Sequence, residues 1–186
     1  MSVPHFFGYG SLVNRATHTY PVRTAAEVRG WRRVWKHSTR RKVAFLTVEP
    51  AAGVTISGLV AEVPGADWAA LDAREHAYDR ITLTQAHLAE ADALNLHLYQ
   101  AKTRHVGPPS LRHPVLLSYL DTVVEGYLHA FGHAGVDAFF ETTAGWDAPI
   151  LNDRAMPVYP RATRPAQDVC ALVDDALRAL SAQVHQ

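Results

Sequence analysis

The order of strand-like and helix-like segments along the chain is the feature that most constrains its fold. Short apolar runs separated by turn residues fill most of the first hundred positions, and residues 94–99 alternate between Leu and polar or aromatic side chains. Apolar residues at helical spacing dominate after Pro114 and again after Pro165, and one helical pattern at residues 66–77 interrupts the strands. Strands followed by helices predict an α+β fold rather than the βαβ alternation of a parallel sheet.

Turn residues and helix-capping residues indicate where the predicted strands and helices begin and end. Residues 49–53, with Pro and Gly, predict a hairpin between two strands, and Asp67 is the predicted N-cap of the first helix. Residues 146–164 contain three Pro and predict an irregular loop. The predicted strands are residues 3–7, 31–37, 43–48, 54–63, 81–88 and 94–103, and further helices are predicted from Pro114, at residues 136–142 and from Pro165.

Composition is that of an ordinary globular protein. Hydrophobic residues make up 48% and charged residues 19% of the 186 positions, which argues against disorder and predicts one domain, residues 1–186. The single Cys170 excludes a disulfide framework. The N-terminal residues lack a secretory signal pattern, and no apolar run approaches the roughly 18 residues that span a bilayer. We therefore expect a soluble, cytoplasmic protein with no membrane partner.

Charge is balanced overall but unevenly distributed. Eighteen basic and 18 acidic side chains give no net charge, which argues against a general nucleic-acid binder. Residues 28–48, however, carry seven bases and no acid, and Trp31 and Trp35 lie among them. These aromatic and basic side chains could stack on nucleic acid, but alternation in a strand favours a sheet face covered by the aliphatic stems of arginine. We expect no nucleic-acid partner, while a local anion site stays open.

Glu75 is the most informative candidate residue. At helical spacing it shares a face with Trp68 and Leu71, the face expected to contact the core. A carboxylate there is costly unless it is hydrogen-bonded or protonated. Two interpretations stay open: a structural Glu paired with Arg74, Arg80 or a Tyr, or a desolvated carboxylate suited to general-base catalysis near neutral pH.

The glycine-rich segment after the first strand is the second candidate. In Gly8-Tyr9-Gly10-Ser11-Leu12, glycines would let backbone N–H groups converge on an anion or a carbonyl oxygen. The segment lacks the third glycine of a dinucleotide fingerprint, the Gly-Lys-Ser/Thr of a phosphate loop and the Gly-x-Ser-x-Gly of a nucleophile elbow. An oxygen-binding loop and a plain tight turn both stay open.

Eleven His raise the question of metals. His129 and His133 have the i, i+4 spacing of a two-His site, but Gly132 lies between them and no third ligand is near in sequence. We interpret them as surface or capping residues and Cys170 as inert packing on the last helix. The sequence therefore predicts no metal and no cofactor.

Several of these segments together resemble the γ-glutamylcyclotransferase superfamily, with its ChaC-like and AIG2-like members. The resemblance rests on the order and spacing of four segments. They are FGYGSL at residues 7–12, RGWRRVW at 29–35, LDAREHAYDR at 71–80, and Ser118-Tyr119-Leu120 followed by Gly126. It covers roughly residues 5–130, and residues 131–186 would form a helical C-terminal extension of the same domain. The fold that it implies is a small mixed β-barrel, closed or partly closed, flanked by helices.

The resemblance also implies a reaction and a set of site residues. The free α-amine of a γ-glutamyl group would attack its own side-chain carbonyl, giving 5-oxoproline and a released amine. Glu75 matches the family's catalytic Glu and would act as general acid/base, while Tyr119 would contact the substrate. The family's substrate loop corresponds to Tyr9, Gly10, Ser11 and Leu12. Glutathione, γ-glutamyl amino acids and γ-glutamyl amines all stay open as substrates, as does the oligomeric state.

The basic strand also leaves open a function of another class, binding without catalysis. A non-catalytic barrel could bind a small molecule or nucleic acid through the basic strand at residues 29–42. The carboxylate of Glu75 on an apolar helix face argues against this alternative, because a non-catalytic binding protein has no need of a general base at that position.

Overall fold

In a computed structural model, the chain forms a mixed sheet flanked by helices. The structure describes residues 3–38, 42–84, 87, 95–102 and 106–186. In this part of the chain, the strands are β1 His5–Gly8, β2 Val22–Ser38, β3 Phe45–Glu62, β4 Tyr78–Thr82, β5 Leu96–Ala101, β6 Val106–Gly107, β7 Val115–Leu116, β8 Thr143–Ala144, β9 Ile150–Leu151 and β10 Val184–His185. The helices are α1 Ala69–Arg74, α2 Leu117–Glu141 and α3 Gln167–Ala179, with 3₁₀ turns at Ser11–Val13, Arg15–Thr17 and Pro64–Ala66.

The predicted α+β class is confirmed, but the predicted barrel is not. The larger sheet has the order β4-β5-β1-β3-β2-β6, with β8 added in parallel to β2, and a smaller sheet has the order β10-β9-β7. Within the described residues, β4 and β6 lie at opposite ends of this path and do not pair with each other. The sheet is therefore open as far as the structure describes it.

The long β2–β3 ladder corrects the prediction of a hairpin at residues 49–53. β3 is one continuous strand, and it pairs antiparallel with β2 from Val22 opposite Ala61 to Lys36 opposite Phe45. Arg29 pairs with Thr55 and Trp31 pairs with Pro50, so the register shifts between these two pairs. The extra residues of β3 there form a bulge. Gly53 in this bulge has a φ of +78°, a region that glycine adopts without steric cost. The Pro and Gly there mark a bulge rather than a turn.

The helix predicted at residues 136–142 lies in the C-terminal part of α2. Gly132, with φ +68° and ψ −166°, breaks α2 ahead of this part, which is therefore a helical segment of its own. Residues 114–116 precede the helix, with β7 between Pro114 and Leu117. Of the strands predicted at 81–88 and 94–103, residues 81–82 belong to β4 and residues 96–101 to β5, whereas residues 83, 84, 87, 95 and 102 lie in no strand. Residues 85–86, 88–94 and 103 lie outside the described residues.

Helix α2 packs closely on the 3₁₀ turns that follow β1. A Cβ added to Gly126 would lie 2.6 Å from the backbone nitrogen of Asn14, so only glycine permits this approach. The Asn14 side chain reinforces the contact by donating to the carbonyl oxygen of Thr122 at 2.8 Å. This packing places the first turn of α2, with Tyr119, beside the glycine-rich loop. Among the described residues, no helix combines the length and apolar content needed to cross a bilayer.

Candidate active site

A cavity of about 450 Å³ lies where the glycine-rich loop, the end of α1 and the start of α2 meet. Three of the residues named from the sequence line it: Ser11, Glu75 and Tyr119. Another wall comes from residues 158–161 of the C-terminal segment, which the sequence analysis assigned only to an irregular loop. The remaining lining residues are Val43, Ala44, Phe45, Ala73, Arg74, His76, Tyr78 and Leu116.

Glu75 reaches the cavity because α1 ends earlier than predicted. The N-cap of α1 is Trp68 rather than the predicted Asp67, although Asp67 Oδ1 still accepts a hydrogen bond from the backbone N–H of Ala69 at 3.0 Å. The helix ends at Arg74, and Glu75 follows with φ −98° and ψ 27°. Its N–H still donates to the Leu71 carbonyl at 2.9 Å. Glu75 is therefore fixed by the last helical hydrogen bond and lies at the edge of the helix rather than inside it.

The carboxylate of Glu75 is mostly buried and paired. Arg74 Nε donates to Glu75 Oε1 at 3.1 Å, with the two side chains only 11% and 16% exposed, respectively. The same guanidinium donates through Nη1 to the carbonyl oxygen of Thr17 at 2.9 Å. Arg74 thus ties the carboxylate to the 3₁₀ turn at Arg15–Thr17. The pairing with Arg74 that the sequence left open is present, and it coexists with the position of Glu75 on the cavity wall.

The charge of this carboxylate acts on two tyrosines, the buried Tyr9 and the half-buried Tyr119. Burial raises the pKa of Tyr9 well above its usual range, and the negative charge of Glu75 raises it further. Burial also raises the pKa of Tyr119, with additional contributions from Tyr78, Tyr159 and Glu75. Both phenols therefore stay protonated and can donate hydrogen bonds at any ordinary pH.

The Tyr119 hydroxyl lies against the glycine-rich loop. The Ser11 backbone lies near this hydroxyl and partly offsets the effect of burial on the Tyr119 pKa. A Cβ added to Gly10 would lie 2.9 Å from the same oxygen, closer than real Cβ contacts allow. Gly10 is thus required by the close approach of Tyr119, and the pair places a phenol and a backbone donor side by side at the cavity.

The loop itself is held from behind by a residue that the sequence analysis did not single out. Arg33, on β2, has no exposed surface, and its Nε donates to the Tyr9 carbonyl at 3.0 Å. Its other nitrogens donate to Thr142 Oγ1 at 2.7 Å, to the Ser57 carbonyl and to the Tyr127 hydroxyl. No carboxylate of the described residues pairs with this guanidinium, which packs on the ring of Tyr127 at 5.0 Å.

The other predicted loop residues lie behind the cavity. Tyr9 is buried and its hydroxyl donates to the Tyr99 carbonyl. Leu12 is buried among Phe6, Leu71 and Tyr99. Neither residue lines the cavity, so their contribution is to support the loop.

The metal-related and thiol candidates lie apart from this cavity. His129 and His133 are both exposed, and Cys170 is half-buried on α3 with its thiol pKa raised by burial. In the described part of the chain, no three His, Cys, Asp or Glu side chains come close enough together to hold a metal ion.

The basic strand offers few free side chains for a binding surface. Arg32 Nη2 and Lys36 Nζ pair with the same carboxylate, Glu49, at 2.5 and 3.5 Å. Residues 40–41 lie outside the described residues. Four described side chains of the segment are buried: Trp31, Arg33, Val34 and Trp35. These contacts count against aromatic stacking on nucleic acid, which needs exposed rings.

Comparison with known sequences identifies the family. Residues 6–119, more than half of the chain, match the family described as "Gamma-glutamyl cyclotransferase, AIG2-like". The chain belongs to this family. A search of curated protein sequences gives no match.

Solved structures share the fold at low sequence identity. A γ-glutamyl cyclotransferase superposes with a TM-score of 0.59 and 13% identity, over 96% of this chain and 99% of that one. The uncharacterised protein loc79017 from Homo sapiens gives 0.58 and 15%, over 75% and 87% of the two chains. YkqA from Bacillus subtilis gives 0.56 and 13%, over 74% of this chain and 52% of that one. At 13–15% sequence identity, the similarity to these structures shows a shared fold.

Proposed function

We propose that this protein is a γ-glutamylcyclotransferase that converts a γ-glutamyl compound to 5-oxoproline and a free amine. The α-amine nitrogen of the glutamyl group forms a bond to its own δ-carbonyl carbon. The bond from that carbon to the departing nitrogen breaks, and the proton lost by the α-amine ends on the released amine. Because the substrate supplies the nucleophile, no Ser or Cys nucleophile is required.

The observation that carries this proposal is the position of Glu75. A mostly buried carboxylate lines a cavity together with Ser11 and Tyr119, inside the segment that matches the family. An α-amine has a reference pKa of about 7.7–8.0 and must lose a proton before it can attack. Glu75, as carboxylate, would accept that proton and return it to the departing nitrogen.

Tyr119 and the Ser11 backbone would bind oxygen atoms of the substrate. A protonated phenol beside a backbone donor suits either the α-carboxylate or the oxyanion that develops on the attacked carbonyl. Arg74 would act as a positioning residue, since it holds the Glu75 carboxylate against the 3₁₀ turn. Enclosing the flexible glutamyl chain in a ring-forming pose would supply much of the remaining acceleration.

Replacement of Glu75 by Gln tests the proposal. Purified protein is incubated with glutathione, γ-glutamyl amino acids and γ-glutamyl amines, and 5-oxoproline is quantified. We expect Glu75→Gln to lower kcat by at least ~10²-fold for the substrate that the wild type uses, the usual scale of general acid–base catalysis. Asp79→Asn is the matched control, because it makes the same chemical change at an exposed residue outside the cavity.

Two results would contradict the proposal. If folded Glu75→Gln protein, verified by its thermal unfolding, keeps near wild-type turnover, the assignment of the base is wrong. If the wild type forms no 5-oxoproline from any compound of the panel, the function is wrong and a non-catalytic binding protein becomes the better interpretation.

A further inference from the structure

The C-terminal wall of the cavity is a short turn that is anchored at both ends. Ahead of the turn, Asp153 Oδ2 accepts from the Val158 N–H at 2.8 Å, and the same carboxylate binds Ser118 at the start of α2. After the turn, the Thr163 N–H donates to Thr122 Oγ1 at 3.2 Å. The turn is therefore fixed to the helix that carries Tyr119.

Within these anchors the turn is well defined. The Ala162 N–H donates to the Tyr159 carbonyl at 3.1 Å. The Tyr159 ring packs edge-on against the Tyr119 ring, with 4.9 Å between centroids. A segment held in this way can present a side chain to the cavity at a fixed place.

Arg161 is the side chain that this turn presents. It lines the candidate cavity and also borders a second cavity of about 920 Å³, on the side of Arg15 and His129. Arg161 is exposed, and it has no ion pair or side-chain hydrogen bond with any residue that the structure describes. Its position contrasts with that of Arg154 in the same segment, whose guanidinium binds Asp121 and Asp174.

The second cavity is also lined by more arginine than acidic side chains. Its lining includes Arg15 and Arg161 as cations and Glu125 as its acidic residue. One oxygen of Glu125 accepts from Asn14 Nδ2 at 2.8 Å. Arginine side chains thus outnumber the one carboxylate in the lining of the cavity that Arg161 shares with the candidate site, and such a lining favours an anionic group.

We infer that Arg161 is a specificity-determining residue that binds a carboxylate on the amine portion of the substrate. The inference rests on the proposed function and deepens it. With the glutamyl head at Ser11 and Tyr119, the leaving amine would extend toward Arg161. The substrate class is then γ-glutamyl amino acids or peptides, whose released amine carries a carboxylate, rather than γ-glutamyl derivatives of uncharged alkylamines. A guanidinium suits this role because it binds a carboxylate in a bidentate manner.

A pair of substrates that differ only in this carboxylate tests the inference. γ-Glutamylalanine and γ-glutamylethylamide share the glutamyl head, and the second lacks the carboxylate of the leaving group. We expect the wild type to favour γ-glutamylalanine in kcat/KM by about 10-fold or more, the scale of a hydrogen bond between charged groups. In Arg161→Gln this preference is lost, through a higher KM for γ-glutamylalanine with kcat little changed, because the contact is remote from the reacting bond.

Two further variants make the test specific. Arg164→Gln changes an exposed arginine three residues away that does not line the candidate cavity, and it is expected to keep the wild-type preference. Arg161→Lys keeps the charge and is expected to retain part of the preference.

The outcomes separate the two proposals. If the wild type converts both substrates equally well, or if Arg161→Gln affects both to the same extent, the role of Arg161 is wrong while the cyclotransferase function stands. If no γ-glutamyl compound yields 5-oxoproline, the proposed function and this inference fall together.

Discussion

Arg33 and Tyr9 are joined by a buried hydrogen bond from the guanidinium Nε to the backbone carbonyl, 3.0 Å long. This contact connects the central strand pair to the loop that carries Ser11. Because the Tyr127 hydroxyl also donates to the Tyr9 carbonyl, at 2.9 Å, helix α2 joins the same network. The loop backbone is thereby fixed by side chains from two elements, as its proposed role in binding oxygen atoms of the substrate requires.

Arg33→Met is expected to destabilise the protein and disturb the loop. The substitution removes the guanidinium donors to the Tyr9 and Ser57 carbonyls. The single hydrogen of the Tyr127 hydroxyl can then serve only one of these two oxygens, and the buried acceptor left unsatisfied costs about 1–3 kcal/mol. Urea unfolding measures the loss. Arg32→Met is the matched control, because the neighbouring Arg32 is exposed and forms a surface pair with Glu49 that is worth at most about 1 kcal/mol. Equal free energies of unfolding for the two variants would contradict the structural role of Arg33.

Gly10→Ala is expected to lower kcat/KM because the new Cβ would meet the Tyr119 hydroxyl at 2.9 Å. A double-mutant cycle isolates this contact. In the Tyr119→Phe background the oxygen is absent, so Gly10→Ala is expected to cost clearly less there than in the wild type. Steady-state kinetics of the four proteins provide the test, and strictly additive losses would show that the two residues do not meet.

Stability is expected to fall as the pH drops below about 6.5, the reference pKa of histidine. Burial lowers the pKa of His18 in the folded protein, and the charges of Arg74 and Arg15 contribute to the shift. A neutral ring satisfies both of its contacts: Nε2–H donates to the Leu12 carbonyl at 3.0 Å, and Nδ1 accepts from the Tyr20 N–H at 3.2 Å. Between the two pKa values the unfolded chain binds more protons than the folded one, so acid favours unfolding.

Urea unfolding at pH 7.5 and 5.5 measures this dependence. His18→Gln is expected to reduce the difference between the two free energies of unfolding without removing it, because burial also lowers the pKa of His97. A variant whose pH dependence equals that of the wild type would exclude His18 as a source of the effect.

Activity is expected to survive treatment with EDTA. Each step of the proposed reaction uses the Glu75 carboxylate, hydrogen-bond donors near Ser11 and Tyr119, and the substrate's own amine, so none depends on a Lewis acid. The rate of 5-oxoproline formation before and after chelation is the measurement. Loss of activity that a divalent ion restores would overturn the mechanism.

The local parts of the fold and site could be predicted from the sequence, and the long-range parts could not. Helical spacing points to Glu75 and a glycine-rich segment points to Ser11, whereas Tyr119 was predicted only through the combined resemblance to the family. Arg33 was missed because alternation along β2 does not tell which face the α2 helix will cover, and arginine is rarely found fully buried. The Pro and Gly of residues 49–53 were misread because a bulge and a turn use the same residues.

The C-terminal wall had no sequence signal at all. Tyr159 and Arg161 lie in a segment without periodicity, and their place at the cavity depends on the side chains of Asp153 and Thr122. Contacts of this kind join residues far apart in the sequence. They become visible only when the chain is folded.

The anchored turn at residues 158–161 also bears on how such proteins diversify. The family match ends at residue 119, yet this turn completes the cavity from outside the matched region. A chain shortened to its matched residues would retain Glu75 but would lose the wall of the cavity formed by residues 158–161, including the guanidinium of Arg161. Under the proposed function, exchange of this segment between relatives would alter which amine is released while leaving the proton-transfer chemistry unchanged.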